Sequence, residues 1–232
     1  MDAVLDNLPY LAQGFVVTLG CAAGALVLAL ALGAVLGTLD YSTHTAVVRW
    51  AIRAFVGLFR NTPFLVQLYI WYFGLPYLGI ELSPLVAGLA GLGLYGASYV
   101  TEIVRGAMTG VGREQEEAGL SAGLTRWDVT TRIVWPQAFT GMIPALTNEM
   151  VALIKNTSLL GFITVTELTL RTQQAISSTF ASLPLYLTAG AMYLVVNVAL
   201  TALARRLEKR LARTGRGSAL QGATRQEVGA GA

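Results

Sequence analysis

VGREQEEAGLSAGLTRWDVTTRIVWP, residues Val111–Pro136, is the strongly polar stretch of a chain whose flanking segments look like lipid. It concentrates Arg113, Glu114, Glu116, Glu117, Arg126, Asp128 and Arg132, so the work done at a water-facing surface is expected here. Its pattern predicts two short helices and a hinge. Glu114, Glu117 and Ala118 lie at helical spacing among good helix formers, and Gly123 stands where a left-handed C-terminal cap would fall. Thr125 precedes Asp128 by three residues, a looser form of the capping box, and opens a second helix toward Trp135. Pro136 is expected to interrupt that helix. A solvated loop with charged helices would give the same pattern, so the flanks must say which surface this is.

The flanks are membrane. Of 232 residues 54% are hydrophobic and only 12% charged, with a mean hydropathy of +0.59, whereas soluble domains are about one quarter charged. The fold class is therefore an all-α integral membrane protein. A hydrocarbon core of about 30 Å asks for about 20 apolar residues per helix, and five spans are expected, at about 14–36, 62–77, 82–104, 139–162 and 183–203. Residues 1–204 form the transmembrane domain, with the polar loop at 111–136, and 205–232 a basic, partly disordered tail. The N-terminus has two acids and no basic run, unlike a cleaved signal peptide. Cys21 is the lone cysteine, which excludes an internal disulfide or a cysteine metal cluster, and His44, the single histidine, reads as a solvated loop residue.

Within the spans the informative residues are the polar ones. The first span has Gly20/Gly24 and Gly33/Gly37 pairs that permit close helix approach. Residues 40–60 carry Arg49, Arg53 and Arg60 and read as a surface segment, of which a helix lying at the interface is one form. Thr62-Pro63 is the expected cap and first position of span two, and Gln67 within it should face protein or a pathway, since lipid would leave its amide unsatisfied. Glu102 and Arg105, three apart, are expected to form a structural pair. Span four holds Glu149 and Lys155 beside Asn148, Asn156, Thr157 and Ser158. Each charge at mid-membrane costs roughly 2.5–3.5 kcal/mol, so these side chains must avoid lipid. At about 100° per residue Asn148 and Lys155 share one face and Glu149 and Asn156 the next. A pathway lining and a buried structural ion pair are both consistent with that stripe, and Pro144 is expected to kink the helix beside it. Between 164 and 182, with Glu167 and Arg171, an external loop or short helix is expected. With the C-terminus cytoplasmic, the inner segments hold 14 of the 16 Lys and Arg residues, which satisfies the positive-inside rule and puts the N-terminus outside. The basic residues serve topology, so no nucleic-acid partner is expected.

Glu117-Ala118-Gly119, three residues, Gly123, nine residues, then Ile133-Val134-Trp135-Pro136 resembles the EAA loop of the membrane subunits of binding-protein-dependent ABC importers. Gly119 replaces the second Ala, which is expected to loosen the first helix by up to about 1 kcal/mol, and Trp135 replaces Leu. Three further stretches resemble the polar amino-acid group of these permeases: Phe59–Leu68, with Asn61 where the group has Gly, the run from Tyr99 through Glu102 to Gly106, and Lys155-Asn-Thr-Ser-Leu159. The resemblance implies a type I importer fold of five helices in the bacterial inner membrane. It implies a second permease subunit, the same or homologous, a cytoplasmic ABC ATPase dimer that holds ATP and Mg, an external substrate-binding protein and an amino-acid substrate. Glu117, Ala118, Gly119 and Gly123 would be ATPase-coupling residues. Gln67, Asn148, Glu149, Lys155, Asn156 and Ser158 are the candidates for the substrate pathway. No G-x-x-x-x-G-K-[ST] phosphate loop occurs in the sequence, so no ATPase activity, catalytic residue, metal or cofactor of its own is expected. The competing reading is a secondary transporter driven by an ion gradient, which an intramembrane carboxylate would also suit, although no inverted repeat is evident. An intramembrane enzyme lacks a nucleophile motif in the spans.

Overall fold

The computed structural model describes the backbone of residues 2–229 and the side chains of residues 3–208. Among the described residues the chain is helical, with α1 (Asp2–Ser42), α2 (Ala46–Asn61), α3 (Phe64–Tyr69), α4 (Pro84–Thr109), α5 (Arg113–Ser121), α6 (Arg126–Asp128), α7 (Trp135–Asn156), α8 (Leu168–Thr179) and α9 (Ser182–Gly229). Among the described residues three helices are long and apolar enough to cross a membrane: Ala3–Ser42, Pro84–Thr109 and Ser182–Glu208. A fourth span results if Arg126–Ile163 is counted together with Leu168–Thr179, to which it is bent by 52°. The second expected span, 62–77, corresponds to the shorter apolar helix Phe64–Leu78.

That helix is irregular for local reasons. After α3 the chain passes through a π-helical stretch, Ile70–Gly74, and a 3-10 turn, Leu75–Leu78, which Gly79 ends at φ +79°. Its start also differs from expectation. Thr62 keeps its hydroxyl for the carbonyl of Leu58 at 2.7 Å, so it closes α2, and the first turn of α3 hangs on the Pro63 carbonyl, which accepts from Val66 N and Gln67 N. The expected surface segment is α2, amphipathic, with Ile52, Val56 and Phe59 buried.

The core is the crossing of α1 and α4, and glycine makes it possible. A Cβ on Gly33 would lie 2.5 Å from Val100 Cβ, and one on Gly37 2.7 Å from the Thr101 carbonyl oxygen. From the other side, Gly93 receives the Leu28 side chain and Gly96 the methyl of Ala29. Of the two expected glycine pairs only Gly33/Gly37 has this role fully, because Gly20 has open space around it and Gly24 meets just the tip of Leu89.

α1 extends well before the expected start at Gly14, and α8 is what holds the extension. Arg171 Nη1 donates to the Tyr10 carbonyl at 3.2 Å and to Gln13 Oε1 at 2.6 Å, with its guanidinium 4.5 Å above the Tyr10 ring. Leu11, Leu168, Ala175, Leu185 and Ala189 form a second small core at this end. Glu167, expected in an external loop or short helix, is fully buried as the N-cap of α8. Its carboxylate accepts from Leu170 N at 2.8 Å, Thr169 N at 2.9 Å and the Tyr193 hydroxyl at 2.9 Å, which offsets its desolvation. α9 continues as helix from the last span into the basic tail, to Gly229.

Candidate functional site

The polar loop folds as α5, a hinge and α6. Gly112, at φ +92°, opens α5, and Gly123, at φ +84°, closes it. Gly123 N donates to Leu120 O at 3.0 Å and Leu124 N to Gly119 O at 3.2 Å, the paired bonds of a Schellman cap with glycine in the left-handed position. Thr125 caps α6 by accepting from Asp128 N at 3.1 Å, and its hydroxyl in turn bonds the Asp128 carboxylate. That bond, helped by Arg132 at 3.1 Å, holds the Asp128 carboxyl below the usual carboxylate range.

Pro136 does not interrupt the second helix. A π-helical turn over Val129–Val134 carries α6 straight into α7, and Pro136 falls in the first turn of α7, where a missing N–H is tolerated. Gln137 Nε2 donates to the Ile133 carbonyl at 2.9 Å, a partner for the acceptor at this register shift. Arg126–Ile163 is therefore one helical run from the loop into the bundle. Pro144 does not break it either.

The faces of α5 are distinct. Glu114, Gln115, Glu117 and Ala118 are exposed, and Gly119 is buried. A Cβ at Gly119 would stand 2.8 Å from both Ile133 Cδ1 and Val129 Cγ2, so this glycine is the contact by which α5 seats on the second helix. The expected loosening thus has an opposite side: the substitution for Ala lets the two helices approach. Glu116, not singled out by the sequence, turns inward, accepting from the Tyr41 hydroxyl at 3.3 Å with Arg126 Nη1 at 3.9 Å.

Glu102 and Arg105 pair as expected, with Arg105 Nη2 donating to Glu102 Oε2 at 2.8 Å. The pair belongs to a larger network that sequence reasoning missed. Asp40, with its side chain only 1% exposed, faces Arg105 Nε at 3.5 Å and Arg53 Nε at 3.6 Å, and Arg60 lies 3.8 Å from Glu102. These charges tie α1, α2 and α4 together at the loop end of the bundle.

The remaining candidates lie apart from the loop. Gln67 is buried, and its Nε2 donates toward Phe59 O at 2.8 Å, Thr62 O at 3.0 Å and Thr62 Oγ1 at 2.6 Å, so its amide nitrogen fastens α2 to α3. On α7 Glu149 is buried and its Oε1 has no hydrogen-bond partner, while Asn148 and Lys155 are exposed on the surface of this chain. Asn156 and Ser158 are half-buried, the Ser158 hydroxyl bonding the Lys155 carbonyl at 2.7 Å. Among the described residues no ion pair joins Glu149 to Lys155 or to another cation.

The chain is a helical membrane bundle with a capped, outward-facing loop helix. Residues 29–213 match the family of binding-protein-dependent transport system inner membrane components, and the chain belongs to that family. It is 30% identical over 211 residues to the arginine transport system permease protein ArtQ of Bacillus subtilis (strain 168), covering 90% of this chain and 96% of that one. It is 32% identical over 215 residues to the glutamine transport system permease protein GlnP of Escherichia coli (strain K12), covering 90% and 96%. Among solved structures, an amino acid ABC transporter crystallised with histidines matches with a TM-score of 0.83 at 26% identity, over 89% of this chain and 96% of that one. The MetNI methionine transporter in an inward-facing form matches with a TM-score of 0.77 at 18% identity, over 88% and 97%, and shares the fold.

Proposed function

We propose that this chain is the membrane subunit of an ATP-driven importer for polar amino acids. It pairs with a second copy or a homologous permease to enclose the pathway, and receives substrate from an external binding protein. A cytoplasmic ABC ATPase dimer holds ATP and Mg and drives the cycle through α5, with the N-terminus of this chain outside and its C-terminus cytoplasmic. The observation that carries this reading is the exposure of Glu117 and Ala118 on a helix that Gly119 and the Gly123 cap fix to the bundle. Such a helix offers an unoccupied polar face to a partner while its other face is committed. The relatives named for arginine and glutamine transport support the substrate class.

Asn148, Glu149, Lys155, Asn156 and Ser158 are proposed to line the pathway. A carboxylate and an ammonium on adjacent faces of α7 suit the two charges of a zwitterion, and Gln67 holds the neighbouring span in place. The unpartnered Glu149 oxygen also fits a proton relay in an ion-driven carrier.

One experiment separates these. The tagged subunit is extracted gently from its native membrane and the co-purifying proteins are identified by mass. A P-loop ATPase in comparable amount is expected; its absence would move the ion-driven carrier ahead. In the recovered complex, Gly123→Val forces a β-branched residue into left-handed backbone. Uptake should fall while ATP hydrolysis continues, and unchanged uptake would remove α5 from the coupling path.

A further inference from the structure

The last turn of α1 is a meeting point of four other elements. Trp135 Nε1 donates to Thr38 Oγ1 at 2.9 Å, which attaches the start of α7. Asp40 faces Arg53 of α2 and Arg105 of α4. Tyr41, the next residue, donates its hydroxyl to Glu116 of α5 at 3.3 Å.

The kinds of bond differ. Neither Asp40 oxygen has a hydrogen-bond partner, and both guanidinium contacts are at 3.5–3.6 Å, so α2 and α4 are held by charge without fixed directional bonds. Such contacts survive a shift of an ångström or so that would break a hydrogen bond. α5, by contrast, meets the bundle through apolar packing at Gly119 and, among the described residues, through a directional bond from Tyr41 to Glu116, whose carboxylate also faces Arg126 at 3.9 Å.

We propose that Tyr41 and Asp40 form a joint, in which Tyr41 grips the loop helix through Glu116 and Asp40 lets the grip turn α1 against α2 and α4. Tyr41, Glu116 and Asp40 are positioning residues. This rests on the coupling role proposed for α5, and it assigns the bundle side of that coupling to a residue next to the sequence motif.

The test uses the complex of this chain with its co-purified ATPase in lipid nanodiscs. A single cysteine at Asn148→Cys, in a Cys21→Ala background, is labelled with a water-soluble maleimide before and after trapping with ATP and vanadate. ATP hydrolysis is measured alongside. Tyr41→Phe removes one hydroxyl and Glu116→Ala removes the acceptor. In each, hydrolysis is expected to persist while the ATP-dependent change in labelling falls by at least about fivefold, the low end of allosteric couplings. Glu116→Gln keeps an acceptor and should retain the response, and the Tyr41→Phe/Glu116→Ala double variant should lose no more than either single one. A wild-type labelling change in both single variants overturns the joint while leaving the α5 coupling role intact. Wild-type protein with no ATPase bound, or with no ATP-dependent change at all, overturns the coupling role and the joint with it.

Discussion

Adding one methyl group at Gly33 is the sharpest perturbation of the α1–α4 crossing. In Gly33→Ala the new carbon would stand 2.5 Å from Val100 Cβ and 3.0 Å from the Ala97 carbonyl oxygen. Carbon atoms sit best at about 3.5–4.0 Å, so the overlap is about 1.0–1.5 Å. Val100 Cβ and the Ala97 carbonyl cannot step aside by changing rotamer. The helices themselves must separate, and overpacking of this kind costs about 1–3 kcal/mol. Alanine returns up to about 1 kcal/mol of helix propensity, leaving a net loss of up to about 2 kcal/mol. At about 2–4 °C per kcal/mol for a chain of this size, the melting temperature should fall by up to about 8 °C. The assay is thermal unfolding of the detergent-purified protein followed by fluorescence of its 4 tryptophans. Gly20→Ala is the internal control, since it makes the same chemical change in the same helix with nothing within 4 Å. It should melt at or slightly above wild type. Equal melting temperatures for the two variants would refute the claim that α1 and α4 meet through Gly33.

Arg105→Met removes one of the two guanidinium groups facing the buried Asp40 and the hydrogen-bonded partner of Glu102, leaving Asp40 to Arg53 and Glu102 to Arg60. We expect a loss of about 1–2 kcal/mol, reduced from the 3–5 typical of fully buried pairs because Arg105 is 35% exposed. Adding Asp40→Asn should recover part of it in the thermal midpoint, because the buried charge left with Arg53 alone goes. At the loop, the depressed carboxyl of Asp128 contributes stability that is present above the unfolded value of about 3.9 and is lost as pH falls through the lower folded value. Its carbon NMR titration in labelled protein should therefore have a midpoint below about 3.9, moving upward in Thr125→Ala; an unmoved midpoint would detach the shift from the Thr125 hydroxyl.

The membrane class and the loop were legible because both are written in local composition. Apolar runs announce helices, and Gly123 and Thr125 act on backbone groups within a few residues of themselves. Four features were not legible, each for a definite reason. Gly20/Gly24 and Gly33/Gly37 are the same pattern, and only the packing of α4 tells which pair is used. Pro136 looks like a stop until a π turn upstream shifts the hydrogen-bond register. Asp40 finds Arg105 across 65 positions, a distance at which spacing carries no information. Glu116 stands beside the recognisable Glu117, and which of two adjacent side chains turns inward depends on how α5 seats on Val129 and Ile133. Span two ends close to its expected place, at Leu78, but composition sees apolar residues and not the π and 3-10 turns inside it.

The unbroken helix Arg126–Ile163 has a mechanical consequence. At about 1.5 Å per residue it is roughly 55 Å long, comparable to the whole membrane with its headgroups. It begins in the loop, beneath the seat of α5, and passes Asn148, Glu149 and Lys155 on its way. A lever of that length, tilted by about 10° about one end, swings the other by about 10 Å, so a small displacement at the water-facing loop is geometrically sufficient to open or shut a passage wide enough for a small polar molecule.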